Sequence, residues 1–196
     1  MFPLGAVLFP HMPLHLRVFE QRYLVMLAKL IKSAQVEFGV VLIERGHEVG
    51  GGEHRFGVGT VAEITQLGAQ EGFVGLAAVG RTRFEVLDWL TDEPHPRAEV
   101  RPLPDLVWDP DLEPQRMDAE QLVRRTLAQA SEFSDSLYPA DLELADDPVA
   151  AVWQLAGIAP VGELDQVSLL RSTSMAELLS RIVEVTTDAA VGFGAR

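Results

Sequence analysis

Cysteine is absent from the 196 residues. That removes disulfides, thiolate metal ligands and a cysteine nucleophile together, and it fits a reducing compartment. Lysine is nearly absent: Lys29 and Lys32 are the whole complement, and neither follows a glycine. The phosphate loop G-x-x-x-x-G-K-[ST] therefore does not occur, and ATP hydrolysis of that kind is excluded. Ser33 adjoins Lys32, but successive residues of a helix point apart, which is not the geometry of a Ser–Lys dyad. No apolar run approaches the roughly 18 residues of a membrane span. Met1 to Gly5 contains no basic stretch, and Pro10 and Pro13 break the first apolar segment. Neither a signal peptide nor a membrane association is expected, and a cytoplasmic location is the expectation.

Positive charge is also short. Lys and Arg number 16 against 29 Asp and Glu, a net charge of -13. The imbalance is uneven: residues 1–104 carry 10 basic and 12 acidic side chains, whereas residues 105–196 carry 6 and 17. Binding nucleic acid by counterion release requires a basic surface, so no nucleic-acid partner is expected. What the chain does have is apolar material for a core, at 47% hydrophobic residues with 23% charged. That is a globular composition rather than a disordered one.

The two halves differ in hydrophobic period. Up to residue 104 the pattern is that of strands. Gly5 to Phe9 is a short apolar run closed by Pro10, and Leu14-His15-Leu16-Arg17-Val18 alternates with period two, placing Leu14, Leu16 and Val18 on one face. Glu37–Glu44, His54–Leu67, Gly72–Val79, Arg81–Leu90 and Pro96–Leu103 read as further strands, with Gly50-Gly51-Gly52 as the plainest loop. One helix interrupts them between Phe19 and Ser33, where Phe19, Tyr23, Met26, Leu27 and Leu30 follow helical spacing. Several strands with one intercalated helix predict a closed or partly closed barrel, since a doubly wound sheet needs helices throughout.

Residues 105–116, with Pro110 and Pro114 among aspartates, read as a linker. Beyond it lies a helical subdomain, 117–196, of four helices with the last three short. Asp118 and Gln121 suggest an N-terminal capping pair for a helix with Leu122, Leu127 and Phe133. Asp147-Pro148 suggests a cap and first-turn proline for a helix to Ala156. Gly162 precedes a helix ending near Leu170, and Ser174-Met175-Ala176-Glu177 matches a capping box ahead of Leu178, Leu179, Ile182 and Val185. The fold class is thus α+β, a β-rich barrel followed by a helical bundle.

Motifs for chemistry are few. Gly57-Val58-Gly59-Thr60-Val61-Ala62 fits G-x-G-x-x-A, but a dinucleotide fingerprint needs a helix after it, and here a strand continues. The glycines fit a bend or bulge. His11 and His15 are four apart with Pro13 between them, so they are not a helical zinc pair; His47 and His54 flank the glycine loop without a spaced third ligand. Neither a metal site nor a cofactor is expected, and no residue is assigned as a catalytic acid, base or nucleophile.

Four segments together resemble a known family. They are Phe2 to Pro10 followed by Leu14 to Tyr23, Phe38 to Ile43, Gly57 to Ile64, and Val79 to Val86; Leu155-Ala156 and Ala159-Pro160 follow in the helical half. In this order and spacing they resemble the substrate-binding N-terminal domain of Lon proteases, and the Phe-Glu-x-Arg-Tyr sequence at 19–23 with the loop at Glu48 to Gly51 looks most like the free-standing bacterial members. The resemblance implies a pseudo-β-barrel related to PUA-like domains plus a helical bundle. It also implies a non-catalytic module that contacts unfolded or partner polypeptide, with a protease or chaperone ATPase as an associate. The phosphate loop and Ser–Lys peptidase of a full Lon are not in this sequence, so proteolysis is not implied.

Polypeptide recognition calls for exposed apolar surface or a free strand edge. Met12 in the proline-flanked loop, with Leu106, Val107 and Trp108 in the linker, are the expected contact residues; the competing role for them is covering the junction between the halves. Phe19, Glu20, Arg22, Tyr23, Arg81 and Arg83 in the matching segments are expected to be structural, with Glu20 paired to one of the arginines. Two rivals remain: a PUA-like binder of RNA or a small ligand, marked by a basic groove, and a hydrolase, marked by a deep polar pocket holding a carboxylate or histidine pair.

Overall fold

The computed structural model describes residues 1–34, 36–45, 54–131 and 138–194. The histidine His47, the glycines at 50–52 with Glu48 and Glu53, and Phe133 lie outside the described residues. The chain divides into two units, Met1–Pro104 and Asp105–Arg196.

Among the described residues of the first unit, alternating and β-branched stretches form six strands: β1 (Phe2–Leu4), β2 (Pro13–Val18), β3 (Glu37–Arg45), β4 (His54–Gln70), β5 (Phe73–Leu90) and β6 (Arg97–Pro102). They make one sheet in the order β1-β3-β4-β5-β2, with β6 also pairing β5. All neighbours are antiparallel except β1 and β3. The sheet does not close: β1 ends the path at one side and β2 at the other. The expected pseudo-barrel is therefore the partly closed form. Helix α1 (Gln21–Lys32) buries Tyr23, Met26 and Leu27 along one stripe. Phe19, expected on that stripe, precedes the helix and is 57% exposed.

Two strands differ from their expected limits. The apolar run Gly5 to Phe9 is not strand, because β1 lies before it; Leu8 and Phe9 are buried instead as a loop whose Leu8 carbonyl accepts a 2.6 Å hydrogen bond from the Thr60 hydroxyl. The segments 72–79 and 81–90 are one strand, β5. Gly80 does not break it: a Cβ there would lie 2.1 Å from the carbonyl oxygen of Phe9, so the glycine lets a second backbone approach. Gly59 in β4 serves likewise, since a Cβ there would lie 2.1 Å from the Val40 carbonyl oxygen. The 57–62 segment is thus strand throughout, with no helix following it.

Among its described residues the second unit holds a 3-10 turn (Pro110–Leu112) and four helices: α2 (Glu113–Ser131), α3 (Pro148–Ile158), α4 (Glu163–Leu170) and α5 (Met175–Gly194). Helix α2 begins inside the expected linker. Asp118 is consequently within the helix and caps nothing; the turn ahead of it is capped by Asp109, which accepts from the Asp111 N–H at 3.0 Å. Asp147 caps α3 as expected, accepting from the Ala150 N–H at 2.8 Å with Pro148 at the first position. Ser174 accepts from the Glu177 N–H, but Glu177 reaches past it to the N–H and hydroxyl of Thr173, both at 2.7 Å. Helix α5 has 20 residues and is not short. Its buried stripe of Met175, Leu178, Leu179, Ile182 and Thr186 keeps helical period across about three turns. Arg124 on α2 donates to the carbonyls of Ala140 and Leu142, fastening the segment before α3.

Candidate functional site

Among the described residues strand β2 is an edge, and its backbone chemistry follows from its register. Pro13 pairs with Val79 and Val18 with Val74 on β5. At the start of the ladder the Gly80 N–H donates to the Met12 carbonyl at 2.9 Å. Antiparallel pairing alternates, so Leu14, Leu16 and Val18 direct their backbone groups to β5, while His15 and Arg17 direct theirs to the free edge. Pro13, between Met12 and Leu14, has no N–H to offer there. The side chains alternate across the faces: Leu14 and Leu16 are half-buried and Val18 buried, whereas His15 and Arg17 are exposed.

Two concavities flank this edge. A cleft of about 170 Å³ is lined by Phe2 and Leu4 of β1, by His15 to Val18 of β2, and by Glu20 and Tyr23, so it spans the two ends of the unclosed sheet. Phe2 stacks on Tyr23 at 4.0 Å between ring centroids. Glu20 accepts from the Arg22 Nε at 3.1 Å, and the Arg22 guanidinium lies 4.5 Å from the Tyr23 ring centroid. A dish of about 450 Å³ lies on the other face, where the row Arg17, Gly75 and Gly68 crosses three strands. At Gly68 nothing stands within 4 Å of a Cβ position, and at Gly75 nothing within 3.6 Å, so the floor is bare backbone. His15, Gln66, Gln70 and Phe73 form the rim, with the Arg17 guanidinium 5.4 Å from the centre of the Phe73 ring.

The residues expected to contact polypeptide separate. Met12 and Leu106 are each only 6% exposed, so neither presents apolar surface. Met12 is drawn inward because its own N–H donates to the Phe9 carbonyl, turning the loop back on itself. Val107 is 83% exposed. Trp108 is half-buried and lines a cleft of about 370 Å³ with Glu113, Arg116 and Asp146. That cleft gathers two carboxylates, but its electrostatics are those of an ion-pair network. Arg116 donates to Glu113 and Glu120; the bonded Arg116 holds the Glu113 carboxyl below the usual range, and Glu113 in turn raises the guanidinium. A general acid requires the opposite shift.

Of the remaining motif residues, Glu20 does pair with an arginine, but with Arg22 two residues away. Arg81 is exposed and bonded to Glu63 at 2.6 Å on the neighbouring strand. Arg83 is buried and donates to the Pro104 carbonyl, while its own carbonyl accepts from Leu103, so it secures the end of the first unit. Ser33 donates to the carbonyls of Lys29 and Leu30 within α1. Among the described residues no group of three His, Asp or Glu could hold a metal ion, and no helix is long and apolar enough to cross a membrane. His15 and Arg17, the centre of the edge, were not singled out by sequence reasoning. The available signal was a perfect alternation whose odd members are polar, preceded by a proline.

Comparisons place the fold. The chain resembles the Lon N-terminal domain protein of Xanthomonas campestris, with a TM-score of 0.66 at 23% identity over 93% of this chain and 95% of that one. It also resembles the N-terminal domain of the Mycobacterium avium complex Lon protease, with a TM-score of 0.63 at 16% identity over 95% and 97%. No curated protein matches the sequence. The family model for the ATP-dependent protease La (LON) substrate-binding domain matches residues 1–188, and the chain belongs to that family.

Proposed function

We propose that this protein is a non-catalytic polypeptide-binding module that adds an extended stretch of unfolded or partner polypeptide to the free edge of β2. The carrying observation is that the outward-facing backbone of His15 and Arg17 lies between two concavities that share those residues. A strand laid against β2 would form main-chain hydrogen bonds along the edge and place alternate side chains into the two concavities. The family description, substrate-binding, supports the same reading. In the second unit, the exposed Val107 beside Trp108 is a separate candidate for apolar contact. A protease or chaperone ATPase would then take over the bound polypeptide.

The test is affinity for one polypeptide in unfolded and folded forms, with RNA as a control. The unfolded form is expected to bind selectively. Substituting His15→Pro removes an N–H that faces outward and leaves the ladder to β5 intact. One backbone hydrogen bond contributes about 1 kcal/mol, so roughly fivefold weaker binding is expected without loss of the folded state. Val107→Ser should weaken binding more modestly. Equal affinity for folded and unfolded forms, or no effect of His15→Pro, would remove the edge from the mechanism, and selective binding of RNA would replace it with the nucleic-acid reading.

A further inference from the structure

The two sides of the β2 edge differ in chemistry. On the inner side, the 170 Å³ cleft has the half-buried Leu16 and the exposed Phe19 in its wall beside the buried Phe2, Leu4 and Tyr23, and Glu20, the acid that lines it, is bonded to Arg22. On the outer side, the 450 Å³ dish is lined by Arg17, His15, Gln66, Gln70 and Phe73, with neither Asp nor Glu in its wall. In a chain of net charge -13 this is a local exception. Arg17 rests against Phe73 over a floor opened by Gly68 and Gly75, which leaves room for a side chain beside the guanidinium.

We propose that the preferred client segment alternates carboxylate and apolar side chains, the carboxylates lying in the dish beside Arg17 and the apolar groups facing Leu16 and Phe19. The inference rests on the edge-addition reading above. Its physical basis is the period of a strand: neighbours of Arg17 and His15 on an added strand fall on their face, and neighbours of Leu16 fall on the other. Directly opposed residues of paired strands sit close enough for an opposite-charge pair to contribute and for a like-charge pair to oppose. The glutamine amides at the rim supply further donors to a carboxylate.

The experiment uses the full chain and three fluorescein-labelled synthetic peptides of one length, in which valine alternates with glutamate, glutamine or lysine. The glutamate peptide is expected to bind tightest, about fivefold over the glutamine peptide, with the lysine peptide weakest. The differences should shrink as salt is raised, because the groups are exposed. Arg17→Glu should reverse the order, and Arg17→Gln should narrow it. Equal affinity for the three peptides, with His15→Pro still weakening them all, would overturn the charge preference and leave edge addition standing. If His15→Pro weakens none of them, edge addition fails and the preference fails with it.

Discussion

Single residues in this fold are held by contacts remote in sequence. Gly80 is the clearest case, since its missing side chain is replaced by the backbone of Phe9. Gly80→Ala is expected to cost about 1–3 kcal/mol, because backbone cannot yield as a flexible side chain would; the urea midpoint measures it, and an unchanged midpoint would show that the Phe9 loop can move away. Glu177 is held from the opposite direction, by bonding to its charged form. Thr173 N–H, then the Thr173 hydroxyl, then Arg181 lower its carboxyl from 4.5 to about 2. A depressed carboxyl contributes stability that is complete above pH 4.5 and is lost as the pH falls toward about 2. The gap in thermal midpoint between the native chain and Glu177→Gln should therefore be constant above pH 4.5 and close on acidification. A gap independent of pH would mean that the Glu177 carboxyl titrates alike in the folded and unfolded chains.

At the scale of elements, what could be read in advance and what could not divide by the range of the interactions. The alternation at 14–18, the β-branched stretch at 37–44 and the helical stripe Tyr23, Met26 and Leu27 are local patterns, and each became the element it suggested. Asp147-Pro148 was likewise legible, because a cap and a first-turn proline act within three residues. Three other features were hidden. Gly80 looked like punctuation, since only the distant Phe9 carbonyl explains it. Gly5 to Phe9 looked like a strand because it is apolar, yet its apolarity reflects burial as a loop. Asp118 looked like a cap because helix α2 continues through proline-containing sequence, Pro114 being tolerated in its first turn. The candidate site was half legible: the faces of β2 follow from its alternation, but its position at an edge depends on pairing with β5, more than fifty residues away. Met12 lies in a segment expected to be exposed, and its burial follows from the turn back to the Phe9 carbonyl together with the Gly80 N–H on its own carbonyl.

At the scale of the whole molecule, charge and chain division carry the expectations. The acidic half coincides with the second unit, so the first unit, close to neutral, holds the cationic Arg17 and the edge. The segment joining the units, 105–109, has no regular structure and includes Val107, 83% exposed. Brief proteolysis is expected to cut there and to yield two fragments that each resist further digestion; a segment that survives while the units are degraded would argue against separable units. Strand β5 imposes a different kind of order. It is the partner of β4, β2 and β6 at once, so the first two of these must await residues made after them. During vectorial synthesis β2 leaves the ribosome well before Val74 to Val79, and until those residues appear it has neither of its edges covered. A protein proposed to hold other chains by one free edge is thus, early in its own life, a chain with two.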